Sequence, residues 1–208
     1  LGLALVLGPT EEPVSLIEAK QHCRIDSTDD DGLLAGYILA ARVFVEGQIH
    51  RPIVSRLYDY TIDYSWPVDC GRISIELPSP PLLAVRSVSY VDESGATQTL
   101  SAALYDYSTD KARGLLYPAY DASWPSIRYQ VAAATVRFVA GYTSFTDTTT
   151  SPNYTVSGEG VPDDLRQAIL LLIGHWYENR EAVAVGQTPS DLPFAVEAIL
   201  SACRVPYI

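Results

Sequence analysis

The sequence predicts an α+β protein: a helical bundle formed by the N- and C-terminal segments, with an inserted antiparallel β domain that is sandwich or barrel-like. Three observations carry this. Apolar residues recur at helical spacings of three and four in the first 50 residues and again after Val161. Between these zones apolar and polar residues alternate, and β-branched and aromatic residues are concentrated, which is the strand period. Each helical zone is too short to enclose a core alone, so together they are expected to complete one helical domain. The parts are residues 1–50, the N-terminal helical part; 51–150, the β domain; and 151–208, the C-terminal helical part.

The first segment, Leu1–Gly8, is apolar but lacks a basic leader, since the first positive residue is Lys20. It is also short for the apolar region of a signal peptide, and reads as a strand or clamp arm. No run approaches the roughly 18 apolar residues of a membrane span, so no membrane association is expected. Ser15-Leu-Ile-Glu18 fits a capping box, with Ser15 as cap and Glu18 reaching back, and predicts a helix to about Cys23. Arg24–Thr28 reads as a turn. Asp29-Asp-Asp31 then places negative charge at a helix start, and Leu33, Leu34, Tyr37, Ile38, Ala41, Phe44 and Val45 continue that helix to about Ile49.

In the middle zone Tyr58, Tyr60, Ile62 and Tyr64 alternate with Asp59, Thr61 and Asp63, and Ile73 and Ile75 with Arg72, Ser74 and Glu76. Val85–Val91 and Val131–Val139 are two further strand candidates. Pro78-Ser-Pro-Pro81, Asp92-Glu-Ser-Gly95 and Ala140-Gly141 mark turns. Ten of the 14 tyrosines lie in this zone, as half-buried strands favour. Thr143–Gly160 is rich in Ser, Thr and Gly and reads as a loop or linker.

The third zone holds the most informative stretch, Val161–Glu181. Pro162 stands at a first-turn position and Asp163 and Asp164 face the positive end of the helix dipole. Leu165, Ala168, Ile169, Leu172 and Trp176 form one apolar stripe, while Leu170, Leu171 and Ile173 make the other faces apolar too. A helix apolar on all sides must be surrounded on all sides. It is either a central core helix or one covered by another subunit. Its end, Trp176-Tyr-Glu-Asn-Arg-Glu181, carries residue types that often dominate contacts between subunits, or else is a helix terminus with local ion pairs. The candidate subunit-interface residues are Leu170, Leu171, Ile173, Trp176, Tyr177 and Arg180. Asp191 is read as the cap of a last helix with Pro193 in its first turn and Phe194, Val196, Ile199 and Leu200 on its apolar side.

The net charge of −11 argues against generic duplex binding, which draws on lysines and arginines. Residues 1–50 carry eight acids and three bases, and residues 151–208 seven and three, so the helical parts hold nine of the eleven excess negative charges. Cys23, Cys70 and Cys203 are far apart, lack metal-ligand spacing and read as reduced thiols. No phosphate-binding loop, zinc-protease motif or nucleophile elbow is present, and His22, His50 and His175 do not cluster. The pairs Asp59/Asp63 and Asp92/Glu93 are the remaining acid–base candidates, but spacing cannot make them converge. No enzyme, cofactor or metal site is expected. A Tyr-rich β domain that recognises carbohydrate or a protein partner is the alternative function.

Val161-Pro162 followed by the helix and Tyr177-Glu-Asn-Arg-Glu-Ala-Val183 resembles the head–tail connector (adaptor, or head-completion) proteins of long-tailed bacteriophages and gene transfer agents. Val14–Lys20, Arg24-Ile-Asp26 and Asp29–Glu46 are similar to that family's N-terminal half. Leu77–Leu82, Val88–Asp92 with Gly95, and Val139-Ala-Gly-Tyr142 are similar to its larger version. The resemblance implies a non-enzymatic virion protein of the neck, assembled in the host cytoplasm. It implies a homo-oligomeric ring, usually of twelve subunits, under the portal protein. That ring would extend the DNA channel and present a platform for a downstream stopper or tail-completion protein. By the same analogy the C-terminal residues Arg204, Val205, Pro206, Tyr207 and Ile208 are the candidate portal-binding hook. An acidic lumen would let DNA pass without specific binding.

Overall fold

The computed structural model describes residues 2–67, 74–110, 113–149, 152–180 and 194–204. They fall into two compact units, one within Leu1–Pro9 and Ser55–Gly160, the other within Thr10–Val54 and Val161–Ile208.

The second unit is helical: α1 (Leu16–Cys23), α2 (Asp31–Ile49), α3 (Asp163–Glu178) and α4 (Phe194–Cys203). The capping box forms as the sequence predicts. Ser15 Oγ accepts the Glu18 N–H at 3.2 Å, and the Ser15 N–H donates to Glu18 Oε2 at 2.8 Å. Arg24 (φ 57°) and His50 (φ 56°) enter the left-handed region and stop α1 and α2. Pro162 is the residue before α3 rather than its first residue, and the Leu165 N–H donates to Asp164 Oδ1 at 2.8 Å.

Helix α3 packs against α1, α2 and α4. Three neighbours inside one unit explain why nearly every face of it is apolar. Leu165, Ala168, Ile169, Leu172 and Ile173 are buried, and burial of each large aliphatic side chain contributes roughly 1.5–3 kcal/mol. Gly174 permits close approach of α1, because a Cβ there would stand 3.1 Å from His22 Nε2. In α4, Val196 and Leu200 are buried as expected, but Phe194 is exposed. The expected cap Asp191 and Pro193 lie outside the described residues.

The first unit is all antiparallel. Its strands are β1 (Gly2–Leu7), β2 (Arg56–Ile62), β3 (Ile75–Leu77), β4 (Leu82–Val91), β5 (Thr97–Leu100), β6 (Tyr105–Thr109), β7 (Gly114–Pro118), β8 (Ala134–Ala140), β9 (Phe145–Asp147) and β10 (Tyr154–Val156). A five-stranded sheet runs β1-β2-β8-β4-β5, a three-stranded sheet β3-β7-β6, and β9 and β10 make a hairpin. Tyr58, Ile62, Val88, Val136 and Phe138 from the large sheet share a core with Ile75, Leu77, Tyr105 and Leu116 from the small one. The other face of the large sheet buries Leu57 and Val139 with Phe145, and Leu7, Leu83 and Tyr154 pack against them. Two-residue periodicity in β2 and β8 thus feeds a core on each side.

Two expectations are corrected here. The barrel alternative does not hold, because the large sheet ends on β1 and β5 without their pairing and the remaining strands form separate sheets. Thr143–Gly160 is not merely a loop: the β9–β10 hairpin lies within it, with Phe145 and Asp147 buried. The apolar start of the chain is a strand, β1, joined to β2 and so belonging with the sheets. Gly141 fixes the turn after β8. Its φ is +135°, its N–H donates to Pro81 O at 3.0 Å, and a Cβ would lie 2.5 Å from Ser55 Cα.

Candidate assembly surfaces

The end of α3 holds a polar cluster. Tyr177 Oη donates to Asp30 Oδ2 at 2.6 Å, Arg180 Nη2 donates to the same oxygen at 2.8 Å, and the Arg180 guanidinium lies 4.4 Å from the Tyr177 ring centre. The tyrosine hydroxyl, and then the arginine, hold the Asp30 carboxyl below the usual carboxylate range. Trp176 sits edge-on to Tyr37 and Phe44, each with ring centres 6.2 Å away. These side chains therefore anchor α3 to the start and middle of α2.

Of the six candidate interface residues, Ile173 is buried: it is 0 % exposed, next to the equally buried Leu172. Leu170 and Leu171 are half-buried, as are Trp176 and Tyr177, and Arg180 is exposed. Arg204 is also tied inward: its Nε–H and Nη2–H donate to Gln48 O at 3.1 Å and Gln48 Oε1 at 2.8 Å. Val205, Pro206, Tyr207 and Ile208 lie outside the described residues.

The β unit carries aromatic residues at its surface. Tyr64 and Tyr129 stand with ring centres 4.9 Å apart, and Trp66 stacks on Trp124 at 4.7 Å. The segment around Tyr129 is fixed by main-chain and side-chain bonds. Tyr64 N–H donates to Gln130 O at 2.7 Å, Ala132 N–H to Asp63 Oδ1 at 2.8 Å and Trp66 Nε1–H to Pro125 O at 2.8 Å. Tyr129 remains 81 % exposed, whereas Tyr58, Tyr105 and Tyr142 are buried.

Three of the four acid–base candidates have structural duties. Asp59 binds Arg137 through two bonds of 2.7 Å, Asp63 receives the Ala132 amide, and Asp92 closes the β4–β5 turn by accepting from Ser94, Ala96 and Gln98. An open cleft of about 230 Å³ in the β unit is lined by Pro81, Leu82, Gly141, Tyr142 and Glu159 among others. Its lining offers one carboxylate. Among the described residues no group of three His, Cys, Asp or Glu side chains is placed to hold a metal ion.

Sequence reasoning missed the outer face of α2, where Leu39 and Val43 are exposed. The available signal was a second aliphatic row on α2, Leu39 and Val43, spaced i, i+4 beside the buried Ile38, Ala41 and Val45.

The described residues thus form packed helices and open antiparallel sheets with surface aromatics, and their carboxylates serve ion pairs and turns. The sequence profile of the phage gp6-like head-tail connector proteins matches residues 13–108 and 130–204, and the chain belongs to that family. A chain in the neck of a native gene transfer agent particle, solved with C12 symmetry, is similar at a TM-score of 0.69 and 23% identity, covering 100% of this chain and 97% of that one. The same values hold for a chain in the neck of an empty particle solved with C6 symmetry. A chain from the native gene transfer agent virion gives 0.65 and 21%, with the same coverage. A search of curated proteins returned no match.

Proposed function

We propose that this chain is a non-enzymatic subunit of a virion neck, assembling into a twelvefold ring below the portal. The ring extends the DNA channel and gives the next connector or tail protein a surface to dock on. The observation that carries this reading is likeness along the whole chain: family membership is joined to a fold shared with neck subunits over 100% of this sequence. The C12 symmetry of the similar neck supports the ring number. The half-buried Leu170, Leu171, Trp176 and Tyr177, with Arg180, remain candidates for contacts between copies, and Arg204–Ile208 for the portal hook. Excess acid in both helical segments supports a channel that lets DNA slide.

The alternative, a β unit that recognises a partner, is favoured by one observation, the exposed Tyr129 packed at a tilt against Tyr64. In the neck reading this outcrop becomes a docking site for the downstream protein.

Negative-stain imaging tests the proposal, using the full chain alone and with portal-bearing, DNA-filled heads, beside a chain lacking Val205–Ile208. Rings or ring-capped heads are expected for the full chain, with docking weakened by the deletion. A strictly monomeric chain that leaves heads bare would overturn the connector reading, and unchanged docking by the truncated chain would overturn the hook.

A further inference from the structure

Helix α2 buries an ion cluster on one side and leaves part of its aliphatic surface exposed. Arg42 is 5 % exposed, with its Nε–H donating to Glu12 Oε2 at 2.7 Å and its Nη1–H to Glu46 Oε2 at 3.1 Å. Beside this buried ion cluster, Leu39 is 48 % and Val43 is 55 % exposed. Gly32, Gly36, Ala40 and Gly47 are exposed as well, and with Leu39 and Val43 they recur at spacings of three and four along one stripe. The stripe runs about 22 Å along the helix without a charged or hydrogen-bonding side chain. A Cβ built at Gly32, Gly36 or Gly47 meets nothing within 4 Å, so the stripe is open. Single exposed aliphatics are ordinary, but a continuous uncharged helix face is not.

We propose that this stripe is the contact between neighbouring copies of the chain, with Gly36, Leu39, Ala40 and Val43 receiving an apolar knob from the next copy. The inference rests on the ring reading above and names its surface. Three observations select a second copy as the occupant. Each chain carries a net charge of −11, so two copies repel wherever their carboxylates face each other, and this stripe has none. A closed ring joins two different faces of each subunit, and the helical unit offers a separate aliphatic outcrop, Ile17 on α1, which is 69 % exposed. Finally, the small residues at 32, 36, 40 and 47 let an incoming element approach the α2 backbone closely. The ion cluster bordering the stripe ties α2 to Glu12 through Arg42.

The test compares the wild-type chain with Leu39→Glu/Val43→Glu by light scattering and by counting subunits on portal-bearing heads. Circular dichroism checks the fold, and flotation with phosphatidylglycerol–phosphatidylcholine vesicles checks for lipid binding. The double variant is expected to keep its fold and lose self-association at least tenfold. A folded variant that assembles like wild type would overturn the stripe. So would wild-type chain that floats with vesicles while the variant does not, because the stripe would then be lipid-facing. If the variant unfolds, Val43→Cys decides: its thiol should react with a maleimide at least tenfold more slowly in the ring than in dissociated chain, and equal rates refute the contact. Wild-type chain that makes no ring in either setting defeats the ring reading itself, a result separable from failure of the stripe alone.

Discussion

Asp147 is a carboxylate with its side chain 1 % exposed, held by donors on every side. The Thr149 amide and hydroxyl bind Oδ1, and Arg86 pairs with Oδ2. Thr149 and then Arg86 push its pKa down to about 2, and in the β4–β5 turn Ser94, Gln98 and Ala96 do the same for Asp92. Both folded values lie below the ordinary 3.8, so the folded state binds fewer protons than the unfolded chain between them. Their stabilisation is therefore complete above about pH 4 and is lost as pH falls through about 2. Thermal melts across that window should show the wild-type Tm dropping steeply, with Asp92→Asn/Asp147→Asn lower at neutral pH and flatter in acid. Parallel curves for the two proteins would remove this account. The turn at Asp92 was legible in the sequence, whereas Asp147 sat in a Ser/Thr-rich stretch with no partner in view: Arg86 is 61 residues away.

At the scale of elements, the sequence was most informative where a signal is long or local. The Ser15–Glu18 box, the 19-residue α2, and the alternation in β2, β4 and β8 all needed only near neighbours to be read. Strands β9 and β10 have three residues each, too few to display a period, and exist because a partner strand receives their hydrogen bonds, whereas β3 lies at the end of the alternation read at Ile73 and Ile75. The all-apolar α3 posed a different problem. Periodicity shows that a helix is surrounded but not by what, and here α1, α2 and α4 supply most of the cover. Substitutions separate its faces. Ile173→Asp buries a charge without a partner and should cost about 3–5 kcal/mol, and Ile169→Ala about 2–5 kcal/mol through the cavity it leaves. Leu171→Asp, on a half-buried face, should cost far less in urea unfolding followed by circular dichroism. A Leu171 variant as unstable as the Ile173 variant would mean that both faces belong to the core.

For the whole molecule, composition and surface chemistry combine into a prediction about salt. Copies that each carry −11 repel at long range, and this repulsion weakens as the screening length shrinks from about 10 Å at 0.1 M salt to about 3 Å at 1 M. An apolar contact is not weakened by that screening, whereas a contact made of ion pairs such as Arg180–Asp30 would be. If copies meet through the uncharged row on α2, ring formation should strengthen as salt rises from about 0.05 M to 0.5 M, by several-fold in the association constant from sedimentation. The same excess of acid predicts that duplex DNA is not retained at low salt, where basic proteins hold it most tightly. Assembly that weakens with salt would shift the contact onto charged residues such as Arg180, and the apolar row would then need another partner. If the proposed ring encloses DNA, the two responses together are what it requires: subunits that attract one another through surfaces without charge, around a passage whose charge keeps the nucleic acid moving.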